Sequence, residues 1–209
     1  MDLDVEFFNK KFNVSRETIE KLNKYKDFLL STNKSLNLIG KTTENQIFTR
    51  HFADSAQIYD LIDDKSEIID LGSGAGFPGV ILKILMNNNK ISGNITLIDK
   101  SPKKCKFLQD LSYKLGLTLK IVNLKLENFK FNKISTIVSR AFKKTVDTID
   151  ILIKNNDKIK NIILIKGKTY QQEIEEAKKK YTFDVEKFKS ITSDESYILK
   201  ISNIKRSTT

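Results

Sequence analysis

The fold is decided by the stretch Glu67-Ile68-Ile69-Asp70-Leu71-Gly72-Ser73-Gly74-Ala75-Gly76-Phe77-Pro78-Gly79. The apolar residues at its start predict a short strand, and the glycines that follow permit positive φ and let a ligand approach the backbone. Pro78 opens the next helix, where its missing N–H group removes no hydrogen bond. A strand, a glycine-rich turn and a helix in this order indicate a parallel sheet whose ligand site lies beyond the strand ends.

The rest of the chain after this turn is predicted to alternate between strands and helices. Further strands are expected at 95–99, 119–122, 136–139, 162–165, 183–190 and 196–203. Helices are expected from Ser101 and Pro102 to Gly116, and at 146–153 and 171–180. The last two strands follow each other directly and predict an antiparallel hairpin. The pattern therefore predicts an α/β protein with a mostly parallel, seven-stranded sheet.

The first 65 residues are predicted to be helical. Ser15 can cap a helix that runs through Leu22 and Leu29 and ends near residues 31–33. A connector leads from there to a second helical region at 44–61. Because no glycine- or proline-rich linker follows, we expect residues 1–65 to pack as a helical extension on a main domain of residues 66–209.

The charge of the chain is unevenly distributed. It holds 37 Lys and Arg against 26 Asp and Glu, a net of +11. Residues 1–99 contain 12 basic and 14 acidic side chains, whereas residues 100–209 contain 25 and 12. Such asymmetry predicts a polyanionic partner, and nucleic acid is preferred to a membrane because no stretch is strongly amphipathic. A compositional bias toward lysine would explain the charge equally well.

Composition excludes several kinds of protein. The single cysteine, Cys105, cannot form an internal disulfide or a cysteine-rich zinc site, and it suits a reducing compartment. With His51 as the only histidine, a metal site or a Ser-His-Asp triad is not expected. The acidic start and the lack of an apolar run of about 18 residues argue against a signal peptide or a membrane span. We expect a cytoplasmic, monomeric protein without a metal.

Two cofactors fit the glycine-rich turn. Asp99, at the tip of the second strand, can accept hydrogen bonds from two ribose hydroxyls, which predicts an adenosine-containing cofactor. Gly74-x-Gly76-x-x-Gly79 fits the dinucleotide fingerprint and would suit a nicotinamide-dependent oxidoreductase. The string from Asp70 to Gly76, however, resembles the first motif of class I S-adenosylmethionine-dependent methyltransferases, which have a Rossmann-like fold and a C-terminal antiparallel hairpin. Methyl transfer is therefore favoured over hydride transfer.

The residues after the strand at 136–139 limit which atom can be methylated. They read Ser139-Arg140-Ala141-Phe142 and lack the prolines that usually serve methylation of exocyclic amines. Methylation of pyrimidine C5 needs a thiolate, but the helical phase of Cys105 indicates a packed thiol near Leu108. Guanine N7 has a free lone pair and loses no proton, so alignment with the methyl donor is sufficient. The sequence therefore permits N7 methylation without a general base.

A series of short motifs in fixed order points to one family. The motifs are Leu36-Asn37-Leu38-Ile39, Arg50-His51-x-x-Asp54-Ser55, Asp70-Leu71-Gly72-Ser73-Gly74-Ala75-Gly76-Phe77-Pro78-Gly79, Ser139-Arg140-Ala141-Phe142 and Ile165-Lys166-Gly167. Over about residues 20–205 the chain resembles the bacterial small-subunit ribosomal RNA guanine-N7 methyltransferases, historically called glucose-inhibited division protein B. The resemblance implies transfer of a methyl group from S-adenosylmethionine to a guanosine in the 530 loop of 16S rRNA, either free or in the small ribosomal subunit.

The resemblance also implies roles for single residues. It implies cofactor contacts for Asp70, Gly72, Gly74, Gly76, Phe77, Asp99, Leu126, Glu127 and Arg140. Gly72 and Phe77 would contact the methionine end, Asp99 the ribose, and the pair Leu126-Glu127 the adenine. Arg140 would act as the catalytic residue, because it would position both the methionine end and the incoming base. Contacts with RNA are implied for Arg50, Lys100, Lys103 and Lys166.

Several alternatives stay open at this point. Lys125 stands where the family tends to have arginine, which puts a shared role at that position in doubt. Arg50, His51 and Asp54 could instead form a surface ion pair beside a packed histidine, and Arg140 could form a salt bridge between helices. The substrate could be another RNA, and a non-catalytic RNA-binding or assembly factor would carry the same charge.

Overall fold

The computed structural model describes residues 3–131 and 133–207, with side chains except at residues 3 and 155–157. Its seven strands, β1 to β7, are Glu67–Leu71, Asn94–Asp99, Lys120–Asn123, Ser135–Arg140, Ile159–Lys166, Tyr181–Lys189 and Tyr197–Arg206. They form one sheet in the order β3-β2-β1-β4-β5-β7-β6. β1 to β5 are parallel, and β7 runs antiparallel to both β5 and β6. The predicted α/β class, parallel majority and antiparallel hairpin are confirmed.

Helices surround this sheet. The α-helices α1 to α7 are Leu3–Phe12, Arg16–Leu36, Asp54–Ala56, Gly79–Asn88, Pro102–Leu115, Thr145–Leu152 and Tyr170–Lys178. Short 3-10 segments occupy Lys41–Gln46, Tyr59–Leu61, Leu126–Asn128 and Ile153–Lys158, and a π-helix occupies Phe48–Ala53. The predicted caps are confirmed: Ser15 and Ser101 accept hydrogen bonds from the first turns of α2 and α5, and Gly116 ends α5 with φ of 60°.

The sheet separates two apolar layers. Alternate residues of β5 show this, since Ile163 and Ile165 belong to one hydrophobic cluster, whereas Ile162 and Leu164 belong to the other. The first cluster contains side chains from α1, α2, α4 and α5, and the second contains side chains from α6 and α7. The N-terminal helices and the sheet therefore share one continuous apolar layer. The domain boundary at residues 65 and 66 stays a prediction.

The N-terminal region differs from the sequence prediction in two places. Helix α2 continues to Leu36 rather than ending near residues 31–33, because it stops only where Asn37 adopts φ of 46°. Residues 44–61 do not form one helix but a series of short 3-10, π and α segments. The carboxylate of Asp4 in α1 accepts hydrogen bonds from the N–H groups of Phe48 and Thr49, at 2.8 Å each, and thereby starts the π segment. Helix α1 lies in the region that the sequence predicts to be helical, although no separate helix is assigned there from the sequence.

Cys105 is a packed thiol, as its helical phase predicts. It is buried on α5, its Sγ lies 3.3 Å from the carbonyl oxygen of Asp99, and burial raises the pKa of the thiol. Across the described ranges, none of the helices is long and apolar enough to cross a bilayer.

The end of α2 depends on the buried amide of Asn33. Its Oδ1 accepts hydrogen bonds from the N–H groups of Leu38 and Ile39, at 2.6 and 2.9 Å. Its Nδ2 donates to the carbonyl oxygen of Ile39, at 3.1 Å, and to Oε1 of Glu44, at 2.7 Å. One side chain therefore closes the turn that follows the helix.

We expect Asn33→Ala to lower the free energy of unfolding by about 1–3 kcal/mol, because it leaves two partly buried backbone N–H groups without acceptors. Urea unfolding followed by circular dichroism measures the change. Ser35→Ala on the exposed side of the same helix is the control and should change the stability by less than about 0.5 kcal/mol. Equal midpoints for wild type and Asn33→Ala would contradict this assignment.

Candidate functional site

The glycine-rich turn folds back onto the end of β2. The N–H groups of Gly72 and Ser73 both donate to the carbonyl oxygen of Ile98, at 2.8 and 3.1 Å. Gly72 has φ of 67°, and Gly76 has φ of 100°, where a Cβ would lie 2.8 Å from the hydroxyl of Tyr25. Glycine is therefore required at both positions by backbone conformation and by close packing.

Asp99 connects the turn to α5. Its Oδ2 accepts a hydrogen bond from the N–H of Gly74, at 2.9 Å, and its Oδ1 accepts one from the N–H of Ser101, at 2.8 Å. Each carboxylate oxygen has a second lone pair, so both can still accept a hydroxyl. Asp99 also lines a cavity, which gives those lone pairs access to a ligand.

This turn cavity has a volume of about 700 Å³, which falls in the range of small-molecule and cofactor sites. Its wall brings together Gly72, Asp99, Leu126 and Glu127, four of the residues that the sequence assigns to the cofactor. Lysines surround it, namely Lys100, Lys104, Lys125 and Lys143. Of these only Lys100 was predicted as a contact residue; the predicted Lys103 is exposed on α5 and is not part of this wall.

Asp70 lies beneath the turn with no exposed surface. Its Oδ2 accepts a hydrogen bond from the N–H of Gly79 at 3.0 Å, whereas Oδ1 has no partner among the described residues. Burial raises the pKa of Asp70 to about 7. The close approach of Gly79 leaves no room for a Cβ, which would lie 2.8 Å from Oδ2. Asp70 therefore holds the first residue of α4 against the strand.

Arg140, at the end of β4, is held by residues from the N-terminal region. Its Nη1 donates to Oδ2 of Asp54, at 3.1 Å, and to the carbonyl oxygen of Arg50, at 3.2 Å. Its Nη2 donates to Nδ1 of His51, at 2.8 Å. The guanidinium carbon lies 4.7 Å from the ring centre of Phe77. The two motifs that contain these residues, far apart in sequence, therefore meet at one guanidinium.

The ion pair between Arg50 and Asp54 that stayed open as an alternative is not observed, although His51 is buried, as that alternative has it. Asp54 pairs with Arg140, while Nη1 of Arg50 donates to the carbonyl oxygen of Thr192 at 3.0 Å. Oδ1 of Asp54 accepts from Oγ1 of Thr192 at 2.7 Å, so the loop between β6 and β7 joins the same network. Arg140 is likewise not a helix-to-helix bridge, because it starts from a strand end.

His51 is neutral in this arrangement. Burial, and then the positive charges of Arg140 and Arg50, lower the pKa of His51 to about 3. Its Nδ1 accepts from Arg140, so the proton resides on Nε2, which donates to Oγ1 of Thr43 at 2.8 Å. Its ring stacks on Phe77, with centroids 5.2 Å apart and an interplanar angle of 13°. Phe77 therefore supports both His51 and Arg140.

Arg140 lines a second cavity of about 500 Å³, here called the arginine cavity. Arg50, His51, Asp54 and Lys166 also line it. Lys166 is nearly buried and its Nζ lies 2.8 Å from Oε2 of Glu173. Two of the basic residues predicted to contact RNA, Arg50 and Lys166, thus face the same cavity, but each also has a partner within the protein.

The two cavities share the wall formed by Ala141, Phe142 and Lys143. The ring of Phe142 lies on Gly72 so closely that a Cβ there would be 2.3 Å from Cδ2. Ala141 adopts φ of 52°, which turns the chain from the strand end toward Gly72. The sequence alone predicts no role for Phe142, because its contact with Gly72 depends on the pairing of β1 with β4 in the sheet.

Comparison with known proteins gives a consistent family match. The family model GidB, described as rRNA small subunit methyltransferase G, matches residues 18–200. A protein named "Ribosomal RNA small subunit methyltransferase G" from Pelagibacter ubique is 38% identical over 203 residues, which cover 94% of each chain. A relative of the same name from Rickettsia felis is 38% identical over 192 residues, covering 91% of this chain and 96% of its own.

Solved structures support the fold. The ribosomal protein L11 methylase from Lactobacillus delbrueckii superposes with a TM-score of 0.56 at 14% identity, over 78% of this chain and 80% of its own. The PH0226 protein from Pyrococcus horikoshii gives a TM-score of 0.57 at 9% identity, over 81% of this chain and 95% of its own. The predicted Rossmann-like fold is thereby confirmed.

The single histidine allows a direct test of the Arg140 network, because imidazole signals in NMR report His51 alone. We expect the Nε2–H tautomer to persist from pH 8 to pH 5, since the pKa of His51 is lowered to about 3. Long-range ¹H–¹⁵N spectra of the ring measure this. A titration midpoint near the ordinary value of 6.5 would contradict the network.

Arg140→Gln is the matched variant, and it should raise the pKa of His51 because it removes a neighbouring positive charge.

The lowered pKa of His51 in the wild-type protein also makes the stability of the fold depend on pH. As the pH falls below about 6.5, the unfolded chain binds a proton that the folded chain does not, so this residue makes the folded state less stable. His51→Asn should flatten that part of the stability profile.

Proposed function

Because the chain belongs to the family of rRNA small subunit methyltransferase G, we propose that it transfers a methyl group from S-adenosylmethionine to N7 of a guanosine in the 530 loop of 16S rRNA. The observation that carries this proposal is the wall of Ala141, Phe142 and Lys143, which borders both cavities. One cavity suits the methyl donor and the other suits a base. We further propose that the protein works in the cytoplasm and as a monomer.

The residues of the turn cavity fit S-adenosylmethionine, which supplies an activated methyl group when bound. The carboxylate of Asp99 has lone pairs left for two ribose hydroxyls. Ile98 and Leu126 offer an apolar surface to a purine ring. Gly72 allows a ligand to approach the backbone, and Glu127 extends the wall beside Leu126. The turn is supported by residues that do not line the cavity, namely Asp70, Gly76 and Phe77. The N–H of Gly74 holds the Asp99 carboxylate.

The arginine cavity fits a base that needs no deprotonation. His51 cannot act as a base, because one ring nitrogen accepts from Arg140 and the other carries a proton. Arg140 uses three of its five N–H donors within the described part of the chain, which leaves two for O6 of a guanine or for a phosphate. N7 itself must stay free, and alignment of N7 with the methyl group is the task of the site.

The target is tested by N7-methylguanosine-specific cleavage of 16S rRNA from a deletion strain that carries either the wild-type gene or a variant. We expect wild type to restore cleavage at the 530 loop. Arg140→Ala should lower the methylation rate at least about 100-fold, because the base loses the guanidinium that positions it in the arginine cavity. Arg16→Ala, on an exposed part of α2, is the matched control.

Unchanged cleavage in the deletion strain would overturn the target. Full methylation by Arg140→Ala and Asp99→Ala together would overturn the assigned site and favour a non-catalytic assembly factor. Asp99→Asn should weaken binding of S-adenosylhomocysteine about 10- to 100-fold, because hydrogen bonds to a charged acceptor are lost. Calorimetry measures this, and NADH should not bind at all.

The basic half of the chain generates a further prediction. The affinity for small-subunit RNA should fall linearly with salt on a log–log scale, because contacts with phosphates release counterions. Affinity for S-adenosylhomocysteine should barely change. Filter binding at 50 to 300 mM salt measures the first and calorimetry the second. If RNA affinity were as insensitive to salt as cofactor affinity, the net charge of +11 would reflect compositional bias alone.

A further inference from the structure

Two tyrosines stack on each other beside the site without a part in the network around Arg140. Tyr170 is the first residue of α7, and Tyr197 is the first residue of β7. Their ring centres lie 4.2 Å apart with an interplanar angle of 25°, and both residues are only half-buried. The pair therefore presents aromatic surface to solvent.

Backbone contacts place this pair next to the arginine cavity. Tyr197 is paired in the sheet with Lys166, and the N–H of Tyr170 donates to the carbonyl oxygen of Gly167 at 3.0 Å. Lys166, Gly167 and Ser196 all line the arginine cavity. The tyrosine pair therefore borders that cavity at the carboxyl end of β5.

Exposed lysines lie on both sides of the pair. Lys168 is exposed two residues before Tyr170, and Lys189, paired with Tyr197 across the hairpin, is also exposed and forms an ion pair with Oδ1 of Asp194 at 2.8 Å. Aromatic rings set among lysines are the usual surface for single-stranded nucleic acid, because bases stack on the rings while phosphates contact the charges. Tyr170 also packs against the second hydrophobic cluster, which fixes the pair in place, while part of each residue stays exposed next to the residues that line the cavity.

We propose that Tyr170 and Tyr197 form a stacking platform for an unpaired RNA base next to the guanosine that enters the arginine cavity. The inference rests on the proposed function. A base can reach the cavity only if it leaves its neighbours in the loop, and the platform replaces the stacking that a neighbouring base then loses. The pair thus contributes to RNA binding and not to the chemical step.

The test uses small ribosomal subunits from the deletion strain as substrate. Tyr170→Ala and Tyr197→Ala should each raise the KM for the subunit about 10-fold, because a base–aromatic stack is lost, with kcat and S-adenosylhomocysteine affinity unchanged. The Phe variants should behave like wild type, since stacking does not need the hydroxyl. Tyr113→Ala is the matched control, because Tyr113 is 92% exposed on α5.

The salt dependence separates stacking from charge. The Ala variants should lose RNA affinity without a change in the slope against salt, because no phosphate contact is removed. A second measurement avoids the variants altogether: irradiation at 254 nm of wild-type protein with the subunits, followed by mass spectrometry of the cross-links, should find Tyr170 or Tyr197 joined to rRNA. If neither Tyr170 nor Tyr197 were found in the cross-links, the proposal would be overturned.

Folded Ala variants with a wild-type KM would also overturn it, and the pair would then serve only to pack α7 on the sheet. Failure of the proposed function gives a different result, because wild-type protein would then fail to methylate the subunits at all. Methylation by wild type with an unchanged KM in the variants rejects the platform alone.

Discussion

The site depends on how one partly buried guanidinium is held. Arg140 has only 17% of its side chain exposed, and a charge removed from water needs partners. It finds them in the carboxylate of Asp54, a nitrogen of His51 and a backbone carbonyl, all from the N-terminal region. If Asp54 were lost, the guanidinium would keep an uncompensated charge. The helical region before the sheet is therefore part of the site and not an appendage to it.

A second constraint is the lack of a side chain at Gly72. The ring of Phe142 occupies the space where a Cβ would be, so the first strand and the fourth strand meet through this contact. The result is a thin wall with a cavity on each side. A thin wall suits group transfer, because donor and acceptor can be bound separately and still approach each other closely.

Local signals were sufficient for much of the fold. Caps such as Ser101 and the glycine at the end of α5 depend on neighbouring residues, and apolar runs mark the buried strands, so these were predicted correctly. The broken helix at 44–61 could not be predicted, because its π segment begins at a carboxylate from α1, more than forty residues earlier in the chain. Asp99 and Leu126 could be assigned from strand ends and family resemblance.

Other parts of the site depend on tertiary contacts alone. The sequence pattern places Asp70 beside the glycines, but only the packed structure shows that it is fully enclosed under the turn. Lys104 faces the turn cavity while its neighbour Lys103 faces solvent, and this difference of one residue depends on the rotation of α5. The capture of Arg140 by Asp54 likewise needs the folded chain, since the local motif suggests a different partner.

The strand order has a consequence for biosynthesis. β6 leaves the ribosome before β7, yet its only neighbour in the sheet is β7, which also covers the open edge of β5. Until β7 emerges, β5 exposes an unpaired edge from an apolar strand, and β6 has nothing to pair with. The nascent chain must therefore be shielded from aggregation over the synthesis of some forty residues, from the end of β5 to the end of β7.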